Sequence, residues 1–246
     1  MILYFTGTGN SRWVAERLAE ATHDTILSIA DCLKQKVMPE ELAGTEKIGL
    51  VFPVHSWYAP RVVVDFLSRL QLPRCRYRYA VCTCGDDVGK GMSRLAKHFP
   101  VDAAWSVAMP NTYVPMFNLD SETLCRKKIE EGRRQVASIA EEVLQQKKVW
   151  KVHEGGAAWL KTYAVNPLFV RFTISSKGFH VDEGCISCGI CAKSCPVGNI
   201  SMTDGRPVWR KQCIHCMACV HACPREVIQY GKTTRNKGRY RLADYL

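Results

Sequence analysis

Eight cysteines in two copies of one spacing pattern constrain this 246-residue chain more than any other feature. Each copy reads Cys-x2-Cys-x2-Cys-x3-Cys-Pro, the first from Cys185 to Pro196 and the second from Cys213 to Pro224, so equivalent positions lie 28 residues apart. Because only two residues separate the first three cysteines, a turning backbone can direct their thiolates toward one point. The fourth cysteine lies beyond that point. The proline fixes φ and prevents the run from continuing as a helix.

This spacing is the ligand pattern of bacterial proteins with two iron–sulfur clusters, in which the fourth cysteine of each copy ligates the other cluster. The sequence therefore predicts two metal sites of four cysteines each. Set I consists of Cys185, Cys188, Cys191 and Cys223. Set II consists of Cys213, Cys216, Cys219 and Cys195.

Zinc and disulfides are the alternatives. Zinc sites use pairs of Cys-x-x-Cys rather than triplets followed by a fourth cysteine and a proline. A disulfide framework needs an oxidising compartment, and nothing in the sequence directs export. Apolar residues that recur in both copies are expected to pack over the clusters and exclude water. They are Ile186, Ile214, Ile200 and Ile228.

The segment resembles the bacterial two-[4Fe–4S] ferredoxins over about 50 residues. The resemblance implies two [4Fe–4S] clusters. Two histidines, His215 and His221, lie inside the second copy. Because sulfur already completes each ligand set, we expect both histidines on the surface.

The formal charge of +11 overstates the basic character of the protein. Each oxidised cluster with its four thiolates carries about −2, which lowers the working charge to about +7. The excess of Lys and Arg lies in residues 149–177 and 232–246 rather than on one continuous face. This distribution argues against a nucleic-acid partner and favours an acidic redox protein as partner.

Five cysteines lie outside the two sets, namely Cys32, Cys75, Cys82, Cys84 and Cys125. An odd number of spare thiols fits a reducing compartment. Cys82 and Cys84 share one face of a predicted strand, with Cβ atoms more than about 6 Å apart, so we expect free thiols. No apolar stretch approaches the roughly 18 residues of a spanning helix, and no basic leader precedes the first strand. We expect a cytoplasmic protein without a membrane span.

The N-terminus begins with an apolar run, residues 1–5, which is typical of a parallel strand buried on both faces. A loop of glycines and hydroxyls follows, and a helical pattern covers residues 12–21. Backbone N–H groups, the helix dipole and hydroxyl donors make such a loop an anion site. Its residues are Thr6, Gly7, Thr8, Gly9, Asn10 and Ser11. The loop has no Walker A lysine and no third glycine of a dinucleotide fingerprint, so it suits a monophosphate.

This Thr-x-Thr-Gly-Asn-Ser loop after the first strand resembles the phosphate loop of flavodoxins, which implies bound FMN. Further strands are predicted at 25–29, 47–53, 77–84 and 103–109. Helices are predicted near 61–70, 91–99 and 121–148, and Asp120 is expected to cap the last of them. Residues 31–46 are predicted to form a polar connection. Alternating strands and helices predict an α/β, doubly wound, five-stranded parallel sheet, in the order 2-1-3-4-5 if flavodoxin-like.

Ligands of such sheets sit beyond the carboxyl ends of the strands. The loops after the third and fourth strands would flank the flavin ring. Their candidate residues are Pro53, Val54, His55, Trp57, Tyr58, Thr83, Cys84, Gly85, Asp86 and Gly89. Trp57 or Tyr58 is the candidate stacking partner, unless both are surface aromatics. His55 either hydrogen-bonds the flavin or caps the loop, and Cys84 is placed to touch the flavin.

Flavodoxins usually carry an aromatic residue in the third of these loops, the one after the fourth strand, which in this chain is rich in Gly and Asp and has only Val88. One flavin face is therefore expected to be open or covered from elsewhere. The aromatic loop 110–117, with Tyr113 and Phe117, is the candidate cover, and a loop packed on the core is the alternative.

Nearly the whole chain resembles flavodoxin–ferredoxin fusion proteins. We expect an FMN domain (1–148), an apolar helical connector (149–177) packed between the domains, a small α+β ferredoxin domain (178–231) with two clusters, and a basic tail (232–246). The tail is either an interaction arm or an ordered strap.

Clusters exchange single electrons and flavins exchange one or two, so the combination predicts an oxidoreductase or electron-transfer protein. One hypothesis is an internal chain that converts between one- and two-electron transfer for a redox protein partner. The second is a flavin-dependent reductase of a small organic substrate held by His55 and loop 110–117, and the third is a redox sensor acting through a protein partner. Direct oxidation of NAD(P)H is not indicated, because a second dinucleotide fingerprint is lacking.

Overall fold

The computed structural model describes residues 1–37, 39, 42 and 44–246. Its N-terminal part is a parallel sheet in the order β2-β1-β3-β4-β5-β6. The strands are β1 (Ile2–Tyr4), β2 (Ile26–Ser28), β3 (Lys47–Pro53), β4 (Tyr77–Cys84), β5 (Ala103–Ala108) and β6 (Trp150–Lys151). The predicted α/β class and the order 2-1-3-4-5 are confirmed. The expectation of five strands was incomplete, because β6 pairs with β5 at one edge.

Helices cover both faces of the sheet. They are α1 (Asn10–Thr22), α2 (Ile29–Gln35), α3 (Arg61–Arg69), α4 (Gly91–Leu95) and α5 (Glu122–Leu144). On one face, α1 and α5 bury apolar residues such as Trp13 and Ile139 against the strands. On the other, α2, α3 and α4 bury residues such as Val63 and Met92. The central strands are apolar throughout because they are buried on both sides.

Two local predictions differ from the structure. Helix α2 occupies the start of the segment 31–46, which was predicted as a polar connection, and positions 38, 40, 41 and 43 of that segment lie outside the described residues. The N-cap of α5 is Ser121 rather than Asp120, since the Ser121 hydroxyl accepts the Leu124 N–H at 3.3 Å. Asp120 instead accepts a hydrogen bond from the Asn111 N–H.

The C-terminal part repeats one small unit. Its elements are β7 (Phe179–Val181), α8 (Ile190–Ser194), β8 (Ile200–Thr203), β9 (Arg206–Trp209), α9 (Ala218–Ala222) and β10 (Ile228–Tyr230), with β7 paired to β10 and β8 paired to β9. Repeat-related residues share unusual backbone angles, because Ser187 and His215 have φ of 54° and 53°. Gly189 and Met217 likewise have positive φ. The sequence repeat is therefore also a backbone repeat.

The segment between the two parts is helical and ordered. Helix α6 (Ala158–Leu160) continues through a π-helical turn (Lys161–Val165) into α7 (Asn166–Phe172), and a 3-10 turn (Ser176–Gly178) leads into β7. This continuous helix is called the connector helix below. Among the described residues, no helix combines the length and the apolar composition that crossing a bilayer requires.

The basic tail is a strap that lies on the sheet domain. Tyr240 is only 2% exposed, and its hydroxyl donates to Asn10 Oδ1 at 2.7 Å. The Tyr240 ring stacks on Tyr245, which lies in the terminal 3-10 turn (Leu242–Tyr245). Arg239 is also buried and donates to several backbone carbonyls, among them that of Ile228. Some of the tail's charge therefore serves internal packing.

Replacing Tyr240 with Phe tests the strap. The Y240F substitution leaves the buried Asn10 Oδ1 without this donor, so the free energy of unfolding should fall by about 1–3 kcal/mol. Denaturant unfolding of the anaerobic holoprotein measures it. Y163F is the control, because the Tyr163 hydroxyl has no hydrogen bond among the described residues. Equal stability of Y240F and Y163F would show that the strap contributes nothing.

Candidate functional site

Two cavities in the C-terminal part are each lined by four cysteines. The first is lined by Cys185, Cys188, Cys191 and Cys223. The second is lined by Cys195, Cys213, Cys216 and Cys219. The structure thus groups the cysteines as sets I and II, with the fourth cysteine of each run in the other run's cavity. All thirteen cysteines are free thiols.

The donor set fits a sulfur-bridged cluster. Among the described residues, no three His, Cys, Asp or Glu side chains meet closely enough for a single ion. The sulfur atoms instead surround cavities with mainly apolar walls. Backbone donors point at set II, because the Asn199 N–H reaches Cys195 Sγ at 3.2 Å and the His215 N–H reaches Cys213 Sγ at 3.5 Å. Such donors stabilise thiolates.

The two sets differ in their access to solvent. Cys188 in set I is exposed, and Ile186 beside it is 58% exposed, so the prediction that Ile186 excludes water was wrong. Ile200 and Ile228 are buried as expected. Set II faces the sheet domain, since Ile214 of its cavity also packs against the apolar core on one face of the sheet.

His215 and His221 are buried, so the prediction that they lie on the surface was wrong. The Tyr113 hydroxyl and His215 Nδ1 share a hydrogen bond of 3.1 Å. His221 Nε2 donates to the Thr112 carbonyl at 2.8 Å. Burial lowers the pKa of His221 to about 4. Both rings are hydrogen-bonded ties between the cysteine-rich part and loop 110–117 of the sheet domain.

The loop after β1 forms a cradle of backbone donors. Its Gly9 N–H donates to Thr6 Oγ1 at 3.1 Å, and Ser11 shares a hydrogen bond of 2.8 Å with Thr83 across the strand ends. Within the described residues, no acceptor bonds the backbone N–H groups of Gly7, Thr8, Asn10 and Ser11. Free N–H groups at the start of a helix favour an anion, which fits the predicted phosphate site. The Asn10 side chain is committed elsewhere, because Pro110 and Tyr240 bond to it.

Gly7 lies directly against set II. A Cβ atom built on Gly7 would fall 2.9 Å from both the Cβ and the carbonyl oxygen of Cys216. Real Cβ atoms do not approach other heavy atoms so closely, so glycine is required for this contact. The predicted phosphate loop and one cysteine cavity are therefore in van der Waals contact.

The loop after β3 is a tight hairpin that presents Trp57. The His55 N–H donates to the Tyr58 carbonyl at 2.8 Å, and Ser56 and Trp57 both have positive φ, as in a type I′ turn. This conformation is strained for residues other than glycine, asparagine and aspartate. The connector helix holds it in place, since Asn166 Nδ2 donates to the Ser56 carbonyl at 2.9 Å.

The two aromatic candidates of this loop differ. Tyr58 is buried, with the Arg94 guanidinium 4.2 Å from its ring centre, so its face is already covered. Trp57 is half-buried, and Lys161 Nζ lies 5.4 Å from its ring centre. Trp57 is therefore the remaining candidate for stacking on a flavin ring. Burial and the nearby His215 lower the pKa of His55 to about 4, so its imidazole is neutral at pH 7.

The loop after β4 is bound by the segment that follows β6. The N–H groups of Val88 and Gly89 donate to the carbonyls of His153 and Glu154. A Cβ atom on Gly89 would fall 2.6 Å from Thr162 Oγ1, so Gly89 lies against the connector helix. Burial raises the pKa of the Cys84 thiol to about 12, and its Sγ donates to the Asp86 carbonyl. Cys84 is therefore a protonated thiol.

The remaining candidates lie around these loops. Pro53 ends β3, and the Val54 N–H donates to the Thr83 carbonyl at 2.8 Å. The Gly85 carbonyl accepts from Lys128. In the candidate cover loop, Tyr113 packs against Phe169, and its ring centre lies 5.7 Å from that of Phe169. The exposed Phe117 does not share this contact surface.

Sequence reasoning missed the connector residues that shape the site. Thr162 is fully buried, and its hydroxyl donates to the Trp57 carbonyl at 3.0 Å and accepts the Lys90 N–H at 2.9 Å. Asn166 is buried beside it. Polar residues on an otherwise apolar helix were the signal that could have identified them, since such residues are buried only with partners.

Comparison with known proteins identifies the cysteine-rich part. Residues 184–228 match the 4Fe-4S dicluster domain family. Over 49 residues, 20% of this chain and 19% of the relative, the sequence is 40% identical to one component of an ion-translocating oxidoreductase complex from Methanosarcina acetivorans. The chain thus spans about a fifth of that curated relative. The cysteine-rich part is an iron–sulfur ferredoxin domain, as its spacing predicted.

Several solved structures resemble part of this chain. The Trp repressor binding protein from Bacillus subtilis has a TM-score of 0.41 and 13% identity, covering 58% of this chain and 97% of that one. An FMN-dependent NADH-azoreductase from Bacillus anthracis has a TM-score of 0.38 and 12% identity, covering 58% and 98%. Because these TM-scores lie below 0.5, the chemistry of these proteins is not carried over to this chain.

Replacing Gly7 with Ala tests the contact with Cys216. The added methyl group would displace backbone as well as a side chain, so G7A should lower the free energy of unfolding by about 1–3 kcal/mol. Anaerobic denaturant unfolding measures the change. G156A is the matched control, because a Cβ atom on Gly156 meets nothing within 4 Å. A G7A protein as stable as G156A would contradict the close approach.

Replacing Thr162 with Val tests the support of the Trp57 hairpin. T162V keeps the shape but leaves the Lys90 N–H and the Trp57 carbonyl without their partner, at a cost of about 1–3 kcal/mol. Unfolding curves and tryptophan fluorescence report the change. T203V, on an exposed residue of β8 whose hydroxyl makes no hydrogen bond within the described ranges, should change neither. Identical behaviour of both variants would remove the proposed support.

Proposed function

We propose that the protein passes electrons between two [4Fe–4S] clusters and a bound FMN, and so converts between one- and two-electron transfer. The observation that supports it most is the contact of Gly7 with Cys216, which joins the predicted phosphate loop to a cluster ligand. Bound clusters exchange single electrons, and bound FMN exchanges one or two. The matched family supports the iron–sulfur part of the proposal.

The proposed cluster count rests on the two cysteine cavities. Each has four sulfur ligands, with Cys223 and Cys195 as the crossing ligands. The backbone repeat supports equivalent sites, since Ser187 and His215 adopt the same left-handed conformation where each run turns. Left-handed residues let the chain turn sharply around a compact ligand.

The proposed flavin site consists of the loops after β1, β3 and β4. The free N–H groups of Gly7, Thr8, Asn10 and Ser11 would hold the phosphate. Trp57 would stack on the ring, with a rigid hairpin behind it. The neutral His55 imidazole would donate or accept one hydrogen bond. The Asn166 and Thr162 contacts would keep water from the back of the hairpin.

A redox protein partner is proposed to dock at the exposed rim of set I. Cys188 is exposed there, together with the apolar side chains of Ile186 and Ile190. Set II is turned toward the sheet domain and is the set next to the flavin loops. The relative from Methanosarcina acetivorans belongs to an oxidoreductase complex, which supports a protein partner. The expected acidity of that partner rests on the basic excess alone.

The reductase alternative loses support from loop 110–117. Tyr113 packs against Phe169 and bonds to His215, and Val114 is buried in the core of the ferredoxin domain. These residues serve the contact between the domains rather than a substrate pocket. The sensor alternative loses support from the tail, because Arg239 and Tyr240 are buried in the strap.

Cofactor analysis of the anaerobically purified protein tests the proposal. It should give about eight irons and one FMN per chain. On rapid mixing with a low-potential one-electron protein donor, the cluster and flavin absorbances should bleach in sequence. Loaded protein whose two chromophores never exchange electrons would refute the proposal, and catalytic turnover with a small electrophile alone would favour the reductase alternative.

Paired cysteine variants test the crossing ligands. C188A and C223A each remove a ligand of set I, so each variant and their double variant should lose the same four irons, about half of the total. The C188A/C195A double variant removes one ligand from each set and should lose nearly all iron. C75A is the control, because Cys75 lies outside both sets. Iron loss that is additive for C188A/C223A would contradict the assignment.

A further inference from the structure

The two cysteine cavities differ at several equivalent positions, and at two of them the set II residue has a buried side-chain N–H donor. Asn199 and Trp209 line the set II cavity. The residues 28 positions away in the repeat are Val227 and Val181, and both line the set I cavity. At these equivalent places, one cavity therefore has side-chain N–H donors where the other has methyl groups.

The Asn199 side chain has a free donor. Asn199 is 2% exposed, and its Oδ1 accepts the Gln212 N–H at 2.7 Å, which fixes Nδ2 as the other end of the amide. Nδ2 is buried and has no acceptor among the described residues. The backbone N–H of the same residue already donates to Cys195 Sγ. Asn199 thus brings a second N–H group to set II.

The Trp209 indole has a free donor as well. Its ring stacks on Phe179 with 5.6 Å between centres and 14° between planes, which fixes its orientation. Nε1 is buried and has no acceptor at hydrogen-bond distance and angle within the described chain. Trp209 lines the same cavity as Cys219, so the buried indole N–H lies beside the sulfur ligands of set II.

Buried donors without acceptors are costly, and two such donors in one native cavity indicate an acceptor-rich ligand. The sulfur atoms of an iron–sulfur cluster are such acceptors, and hydrogen bonds to them change its reduction potential. We propose that Asn199 and Trp209 donate to the cluster of set II and raise its reduction potential. This inference rests on the proposed function, because it takes set II to hold a cluster.

The donors offset a cost that burial imposes on set II. Reduction adds one electron, supplied by a one-electron donor, to a site that already carries about −2, and no proton is taken up. Burial disfavours this extra charge, whereas aligned N–H groups stabilise it. Set I is nearer to solvent and has Val227 and Val181 instead. Asn199 and Trp209 thus keep the cluster beside Gly7 reducible.

Potentiometric titration of the full-length anaerobic protein tests this role. Low-temperature electron paramagnetic resonance separates the cluster signals from the flavin. N199V, which copies the residue of the other half, and W209F should each shift the reduction equilibrium of one cluster couple about tenfold toward the oxidised form, about 59 mV for one electron. The other couple should not move. The mirror variant V227N should raise the potential of that other couple.

Iron analysis separates failure of this inference from failure of the proposed function. Variants that keep about eight irons but leave both couples unmoved, or move both equally, would overturn the role of Asn199 and Trp209 and leave the two-cluster proposal intact. Fewer than eight irons in the unsubstituted protein would count against the proposed function itself. If W209F fails to load set II, N199V and V227N decide the question.

Discussion

The close approach of Gly7 to Cys216 is the contact on which the rest of the molecule depends. It places the backbone of the cysteine-rich part against the loop after β1, with room for a hydrogen atom but not for a methyl group. A contact of this kind requires that both backbones be held in register. The hydrogen bonds of His215 and His221 to loop 110–117 supply part of that restraint, and the Tyr240 strap supplies another. Each tie involves a buried side chain, so each is stronger than a comparable contact in water.

The connector helix also supports this arrangement. It bonds to the hairpin that carries Trp57 through Thr162 and Asn166, and Tyr113 packs against its Phe169. The left-handed conformation of Ser56 and Trp57 is unfavourable on its own and persists because these contacts determine it. Strain at such a loop is consistent with a binding role, since it fixes an aromatic ring at the strand ends. The connector is therefore a structural part of the candidate site rather than a spacer.

The parts of the fold that follow from local pattern were predicted from the sequence. Cysteine spacing identified the ferredoxin domain because three ligands of each set lie within seven residues and the fourth recurs at a fixed place in the other run. Continuous apolar runs identified the buried strands. Strand β6 was missed, because two residues show no periodicity. His215 and His221 were misplaced for a different reason. Their partners, Tyr113 and Thr112, are about a hundred residues away in sequence, and packing between domains leaves no local signature.

The cavity donors are an intermediate case. Alignment of the two copies sets Asn199 against Val227 and Trp209 against Val181, so the difference is visible in the sequence. The role of these two residues cannot be read from the sequence, because an asparagine after a Cys-Pro turn is equally typical of a surface loop. Only the burial of Nδ2 and Nε1 shows that these donors face inward. A doubled domain would by itself hold two equivalent clusters. Side chains that break the repeat, together with the close approach of Gly7 to Cys216 of set II, make the two cysteine cavities different.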